Sequence, residues 1–93
     1  MVGIPTNIRK QCNTLLALGE VSIENENYSQ AVEDLTSCLE IRKDKLPTEL
    51  REIAETHYLL GVALSYHGQY DEAKESFNES VKVLGALLKT YDR

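Results

Sequence analysis

The sequence of 93 residues predicts an all-α fold built from two helical hairpins. Apolar residues recur at spacings of three and four over four stretches, which is the pattern of amphipathic helices, and we expect no strands. A Leu-Gly pair, followed nine residues after the Gly by Tyr and twelve residues after it by Ala, occurs twice. The two copies are Leu18, Gly19, Tyr28 and Ala31, and Leu60, Gly61, Tyr70 and Ala73.

This duplicated spacing is the signature of tetratricopeptide (TPR) hairpins, in which the Gly lets two helices approach closely. The copies are 42 residues apart, whereas a standard TPR repeats every ~34 residues. The extra residues fall between Lys43 and Ala54, so we expect lengthened second and third helices. We predict a single TPR-type domain over residues 1–93, with repeats at 6–46 and 48–84 and a C-terminal extension at 85–93.

Start and stop signals bound the first two predicted helices. The first begins near Thr6, because Pro5 cannot continue a helix backwards and Thr6 can cap one. Residues 25–27 (Asn-Glu-Asn) form the turn into the second helix. The second helix ends at Pro47, which restricts the residue before it, and Thr48 is predicted to cap the third helix.

The third and fourth predicted helices meet at Gly68-Gln69, where the third helix breaks. The fourth helix runs from Tyr70 to Leu88. Gly85 is its weak point, since a helix-interior Gly costs about 1 kcal/mol relative to Ala.

The net charge of −5 is unevenly distributed, because no Lys or Arg occurs between residues 11 and 41. Six acidic residues lie in that stretch: Glu20, Glu24, Glu26, Glu33, Asp34 and Glu40. This pattern disfavours direct binding to nucleic acid and favours a basic partner, with a solvated acidic face as the alternative. No apolar run is long enough to span a membrane and no signal peptide is visible, so we expect no membrane partner.

The residues that could carry chemistry favour structural roles. Cys12 and Cys38 lack the spacing of a metal site or a disulfide framework, so we interpret them as reduced core residues. His57 falls on the predicted core side of the third helix, and His67 lies where it can cap helix carbonyls. The sequence lacks a nucleophile-base set, a phosphate loop and a zinc-protease motif. We therefore predict no catalytic residues, metal or cofactor.

The first and third helices each carry two partly apolar faces when plotted at 100° per residue. One face, predicted to pack on the hairpin partner, holds Leu15, Leu18, Gly19 and Ser22 in the first helix and His57, Leu60, Gly61 and Leu64 in the third. The other face is predicted to line the concave groove of a TPR stack. Its members are Leu16, Glu20, Ile23 and Glu24 in the first helix, and Glu55, Tyr58, Val62 and Tyr66 in the third. Packing between helices is the alternative role of this face, above all for its aliphatic residues.

Several longer motifs extend the TPR pattern: residues 18–22 (LGEVS), 26–28 (ENY), 30–33 (QAVE), 37–39 (SCL), 54–61 (AETHYLLG) and 69–73 (QYDEA). Together they resemble the nuclear autoantigenic sperm protein family of histone chaperones. The resemblance implies a protein that is mainly nuclear, also cytoplasmic, and that binds histone 3, alone or as the histone 3/histone 4 dimer. It further implies that Glu20, Glu24, Glu55 and Tyr58 contact the C-terminal helix of histone 3. The family's long acidic insertion and two earlier repeats are absent, so the chain looks like the last two repeats of a larger protein.

Two other functions compete with this interpretation. A TPR that clamps the acidic tail of a heat-shock protein needs basic groove residues, whereas Leu16, Glu20 and Leu59 stand here. A structural oligomerisation module, or a generic peptide-binding TPR, is the main alternative, because two hairpins leave their end faces uncovered. We expect a homodimer that buries the apolar segments 83–84 and 87–88. If residues 86–93 instead fold back at Gly85 as a capping turn, the chain stays monomeric.

Overall fold

The computed structural model describes residues 6–91, which form four helices. They are α1 (Thr6–Glu24), α2 (Tyr28–Lys45), α3 (Leu50–Tyr66) and α4 (Tyr70–Tyr91). α1 packs on α2 and α3 packs on α4, while α2 and α3 join the two hairpins, and α1 touches α3 only slightly. The predicted all-α fold of two hairpins is confirmed over this range. The predicted stop at Pro5 and the last two residues of the predicted extension lie outside the described residues.

The two repeat glycines lie where the helices of each hairpin approach most closely. A Cβ built on Gly19 would lie 2.6 Å from Cγ of Leu35, and one built on Gly61 would lie 2.7 Å from Cε1 of Phe77. No side chain fits at those distances without movement of the partner helix. Ala31 is fully buried in this crossing of the first hairpin. The predicted role of the glycines is therefore confirmed.

Two clusters of buried side chains form the core. The larger cluster contains Ala31, Leu35, Leu39, Ile53, Leu60, Ala63, Leu64 and Ala73. The smaller one joins Cys12, Cys38 and Leu46 at the far end of the first hairpin. The Cys38 thiol donates to the carbonyl of Cys12 (3.4 Å), and both thiols are free. Burial, followed by the nearby Cys38 thiol, raises the pKa of the Cys12 thiol, so the prediction of core cysteines is confirmed.

The turns inside the two hairpins form at the predicted residues. Glu26 adopts a positive φ of 63° between α1 and α2, and the Asn27 amide donates to the carbonyl of Ser22 (2.8 Å). Gly68 follows α3 with a φ of 87°, which is the left-handed conformation that glycine adopts without strain. The Gln69 amide then donates to the carbonyl of Leu64 (2.9 Å), so the end of α3 is capped by backbone groups.

The junction between α2 and α3 differs from the prediction. α2 ends at Lys45, so Leu46 lies outside the helix with its side chain buried. Thr48 does not cap α3. The Ile53 amide donates to the carbonyl of Glu49 (3.0 Å), which places Glu49 at the N-cap position. The Glu49 carboxylate does not cap the helix either, because it pairs with Arg9 of α1 at 2.7 Å.

α4 continues as one helix through Gly85 to Tyr91, so the alternative in which the chain folds back at Gly85 is wrong for residues 86–91. No atom lies within 4 Å of a Cβ built on Gly85, so no contact bends the helix there. The neighbouring side chains differ in exposure. Val83 is partly buried against the main core, whereas Leu84 and Leu88 are exposed.

Leu18 was predicted to pack on the hairpin partner of α1, but its side chain is exposed. The adjacent Gly19 makes the close contact with Leu35, and Leu18 lies beside that contact rather than in it. The corresponding residues of α3, His57, Leu60 and Leu64, are all buried.

Candidate functional site

The predicted groove face carries three exposed carboxylates. Glu20 and Glu24 lie on α1, and Glu55 lies on α3. None of the three forms an ion pair or hydrogen bond with another residue in the range 6–91. Carboxylates that are hydrated and unpaired can accept charge-assisted hydrogen bonds from an arriving Arg or Lys.

Glu55 and Tyr58 line one open cleft between α3 and α4, with a volume of about 320 Å³. The other lining residues are Arg51, Ala54, Ser80 and Leu84. The Tyr58 ring is exposed on its outer side and rests on Phe77 of α4, with ring centroids 5.7 Å apart and planes tilted by 53°. The cleft therefore combines an apolar floor and an aromatic wall with one acidic and one basic group at its rim.

The hydroxyl of Ser80 fixes the two helices at the floor of this cleft. It donates to the carbonyl of Ala54 at 2.9 Å, and both residues are buried. The bond ties the middle of α4 to the first half of α3. Because Glu55 and Tyr58 follow Ala54 on α3, their backbone positions are held relative to Leu84.

The aliphatic members of the predicted groove face serve packing as well. Leu16 is partly buried against both core clusters, and Ile23 is partly buried against the larger one. Val62 is also partly buried. Their contacts set the position of α1 and α3, while Glu20 and Glu24 remain in solvent.

Tyr66 belongs to a different local environment from Tyr58. Its ring stacks on Tyr28 of α2, with centroids 5.1 Å apart and an angle of 11° between the planes. Burial, followed by the charge of Glu26, raises the pKa of the Tyr28 hydroxyl. The structure therefore divides the predicted groove face into the Tyr58 cleft and a stacked tyrosine pair beside the turn between α1 and α2.

Comparison with known proteins assigns both hairpins. Residues 13–49 match the SHNi-TPR family model, and residues 54–84 match the tetratricopeptide repeat model. The chain is 52% identical over 69 residues to the nuclear autoantigenic sperm protein of Homo sapiens. The aligned residues cover 74% of this chain and 9% of that protein. It is 52% identical over 67 residues to the histone-binding protein N1/N2 of Xenopus laevis, covering 72% of this chain and 11% of the relative. These repeats belong to the nuclear autoantigenic sperm protein family.

A more distant relative aligns over a longer stretch. The protein HGV2 of Halocynthia roretzi is 46% identical over 78 residues, which is 84% of this chain and 15% of that protein. The chain thus spans between 9% and 15% of the length of these three relatives. Both matching family models describe helical repeats, and neither describes a catalytic domain.

Arg42 lies within the segment that matches the SHNi-TPR model, and its burial was not predicted from the sequence. Its side chain is almost fully buried, and Nη2 donates to Oδ1 of Asn13 at 3.1 Å. Its Nε and Nη1 atoms are buried and have no hydrogen-bond partner among residues 6–91. Arg42 continues the buried stripe of α2 at four residues from Cys38 and seven from Leu35. That spacing could have indicated its burial.

The remaining titratable core residue is His57, which was predicted to be a core histidine and is buried. Burial lowers its pKa, with a further lowering by Lys43 and an opposing effect of Glu79. Within the described range, no group of three His, Cys, Asp or Glu side chains could hold a metal ion. None of the helices described is both long and apolar enough to cross a membrane.

Proposed function

We propose that this chain is the histone-binding TPR module of a nuclear histone chaperone. Its ligand is histone 3, alone or paired with histone 4, held on the face formed by α1 and α3. The observation that supports this most directly is the unpaired Glu55 carboxylate beside the exposed ring of Tyr58, over the apolar cleft between α3 and α4. Two relatives, one named as a histone-binding protein and the other as a nuclear protein, support the same conclusion.

The electrostatic part of recognition comes from Glu20, Glu24 and Glu55. All three are exposed, so pairing with Arg or Lys does not first require an internal ion pair to break. The chain as a whole carries a net charge of −5, which attracts a basic histone over a distance set by the ionic strength. Binding of this kind weakens as salt rises.

The apolar part comes from Tyr58 and the cleft floor of Ala54 and Leu84. An amphipathic helix can place an apolar side chain in this cleft while its basic side chains reach the acidic rim. Tyrosine suits such a site because its large ring loses little conformational entropy on binding. The resemblance noted above suggests the C-terminal helix of histone 3 as this segment.

Titration calorimetry with a peptide of the histone 3 C-terminal helix tests the proposal. Glu55→Lys and Tyr58→Ala should each cost roughly 2–4 kcal/mol, because each removes a charge-assisted pair or an aromatic anchor at the centre of the interface. Such a loss weakens affinity by roughly 30-fold to 1,000-fold. Glu33→Lys on α2 and Tyr70→Ala at the start of α4 are matched controls at exposed positions outside the cleft.

The control variants should bind as the unchanged chain does. Equal affinity of Glu55→Lys, Tyr58→Ala and the controls would contradict the groove assignment. Affinity of the unchanged chain should also fall between about 0.1 M and 1 M salt, because the Debye length shrinks from ~10 Å to ~3 Å. A gel shift of naked duplex DNA at moderate salt would contradict recognition by acidic groups.

A further inference from the structure

The two hairpins are equivalent under a shift of 42 residues, down to a single hydrogen bond. The Cys38 thiol donates to the Cys12 carbonyl, and the Ser80 hydroxyl donates to the Ala54 carbonyl. Cys38 and Ser80 are 42 residues apart, as are Cys12 and Ala54. Residues 70–87 of α4 therefore correspond to residues 28–45 of α2, and Leu88 corresponds to Leu46 just after α2.

The side of α2 that faces α3 has an uncovered counterpart on α4. Leu39 is 9% exposed and Leu46 is 1% exposed, whereas their counterparts Val81 and Leu88 are 67% and 66% exposed. Leu84, the counterpart of buried Arg42, is exposed too. Leu39 packs in the cluster that contains Ile53 of α3, whereas Leu46 packs on Cys12 and Arg42 binds Asn13, both on α1. No helix of the described chain covers the counterparts of these three residues on α4. We call Val81, Leu84 and Leu88 the α4 face.

The side of α3 that does the covering has its own exposed counterpart on α1. Leu60 is 8% exposed and Ala63 is 0% exposed, whereas their counterparts Leu18 and Val21 are 48% and 50% exposed. We call Leu18 and Val21 the α1 face. One chain thus displays, at its two ends, both halves of the interface that it already contains between α2 and α3.

We propose that a second copy of this chain docks its α1 face on the α4 face of the first, in the manner in which α3 packs on α2. This inference does not rest on histone binding, but a docked copy would cover Arg51, Ser80 and Leu84, which also line the Tyr58 cleft. The contact is heterologous, because a different surface of each copy takes part. Repeated addition extends the helical stack, so the assembly does not stop at a dimer.

The polar groups at the proposed junction between two copies also have counterparts at the junction between the two hairpins of one chain. Thr56 on α3 lies with its hydroxyl 3.9 Å from the thiol of Cys38, and the corresponding pair between copies is Thr14 with Ser80. Arg9 pairs with Glu49 in the internal junction. Its counterpart Arg51 is exposed and has no ion-pair partner in residues 6–91.

The residue on α1 that corresponds to Glu49 is Asn7, and the one that corresponds to buried Ile53 is Gln11. An amide oxygen can accept a hydrogen bond from Arg51, but it supplies no charge. Gln11 adds less apolar contact than Ile53. The junction between copies is therefore weaker than the internal one, and we expect reversible association that depends on concentration.

Sedimentation analysis of complementary variants tests the arrangement. One variant, Leu18→Glu with Val21→Glu, disables the α1 face, and the other, Val81→Glu with Leu88→Glu, disables the α4 face. The unchanged chain should form species beyond the dimer as its concentration rises into the hundreds of micromolar. Each variant alone should stay monomeric. An equimolar mixture should form a dimer and nothing larger, because it contains one intact α1 face and one intact α4 face per pair.

Three results would overturn the proposal. The first is a monomeric unchanged chain at the highest concentration. The second is a mixture that stays monomeric. The third is association that depends on the α4 face but not on the α1 face, which would mean a symmetric dimer of α4 on α4. All four substituted residues are exposed, so both double variants should keep the helicity of the unchanged chain, as measured by circular dichroism. If a double variant loses helicity, the single variants Leu18→Glu and Leu88→Glu take its place.

Discussion

Replacing Gly19 by Ala tests how closely α1 and α2 approach each other. The new methyl carbon would lie 2.6 Å from Cγ and 2.7 Å from Cδ2 of Leu35. Carbon atoms in contact prefer about 3.5–4.0 Å. Leu35 is fully buried, and Cγ is the branch point of its side chain rather than a flexible end. The helices must therefore separate locally by about 1 Å or force Leu35 out of its rotamer.

Two opposing terms set the size of the effect. Overpacking a core costs about 1–3 kcal/mol, and the full burial of Leu35 places this site toward the upper part of that range. Alanine in a helix interior is better than glycine by about 1 kcal/mol. We expect the free energy of unfolding to fall by about 1–2 kcal/mol. For a domain of this size, that lowers Tm by roughly 4–16 °C.

Gly85→Ala is the matched control, because it makes the same change inside α4 with nothing within 4 Å of the new methyl group. It should raise the free energy of unfolding by about 1 kcal/mol. Urea unfolding followed by circular dichroism at low micromolar concentration measures both variants. The difference between them isolates the contact with Leu35. If Gly19→Ala gains as much stability as Gly85→Ala, the close approach of α1 and α2 is wrong.

Two further predictions concern buried titratable groups. Arg42→Leu should raise the free energy of unfolding by roughly 1–3 kcal/mol, because it removes a buried charge with two nitrogen atoms that lack a hydrogen-bond partner in residues 6–91. Leucine is also the residue that the second hairpin carries at the corresponding position, Leu84. A less stable variant in urea unfolding would contradict this. His57 has a lowered pKa in the folded chain, so the unfolded state binds the proton more readily than the folded state. The contribution of neutral His57 to stability is therefore complete above about pH 6.5 and is lost as pH falls below that value. Thermal melts from pH 7.5 to 5 should show a weaker pH dependence for His57→Gln than for the exposed control His67→Gln, and equal dependence would refute the assignment.

Local sequence features were enough to determine the helices and the turns inside the two hairpins. Spacings of three and four residues define helical faces without reference to any partner, and the conformations at Glu26 and Gly68 depend on a few neighbouring residues. The duplicated Leu-Gly pattern also located the close approaches of Gly19 and Gly61. The four helices, the two hairpins and the exposure of Glu20, Glu24, Glu55 and Tyr58 could all be predicted in this way.

The tertiary structure decided which side chains share a site and which end face stays open. Periodicity places a residue on a face but does not give the neighbour of that face, so the exposure of Leu18 depended on how α1, α2 and α3 pack. Glu49, rather than the predicted Thr48, occupies the N-cap position of α3, next to the turn that follows α2, and its carboxylate pairs with Arg9. The cleft of Glu55, Tyr58 and Leu84 depends on how α4 packs against α3, and no spacing along one helix encodes the distance to the next.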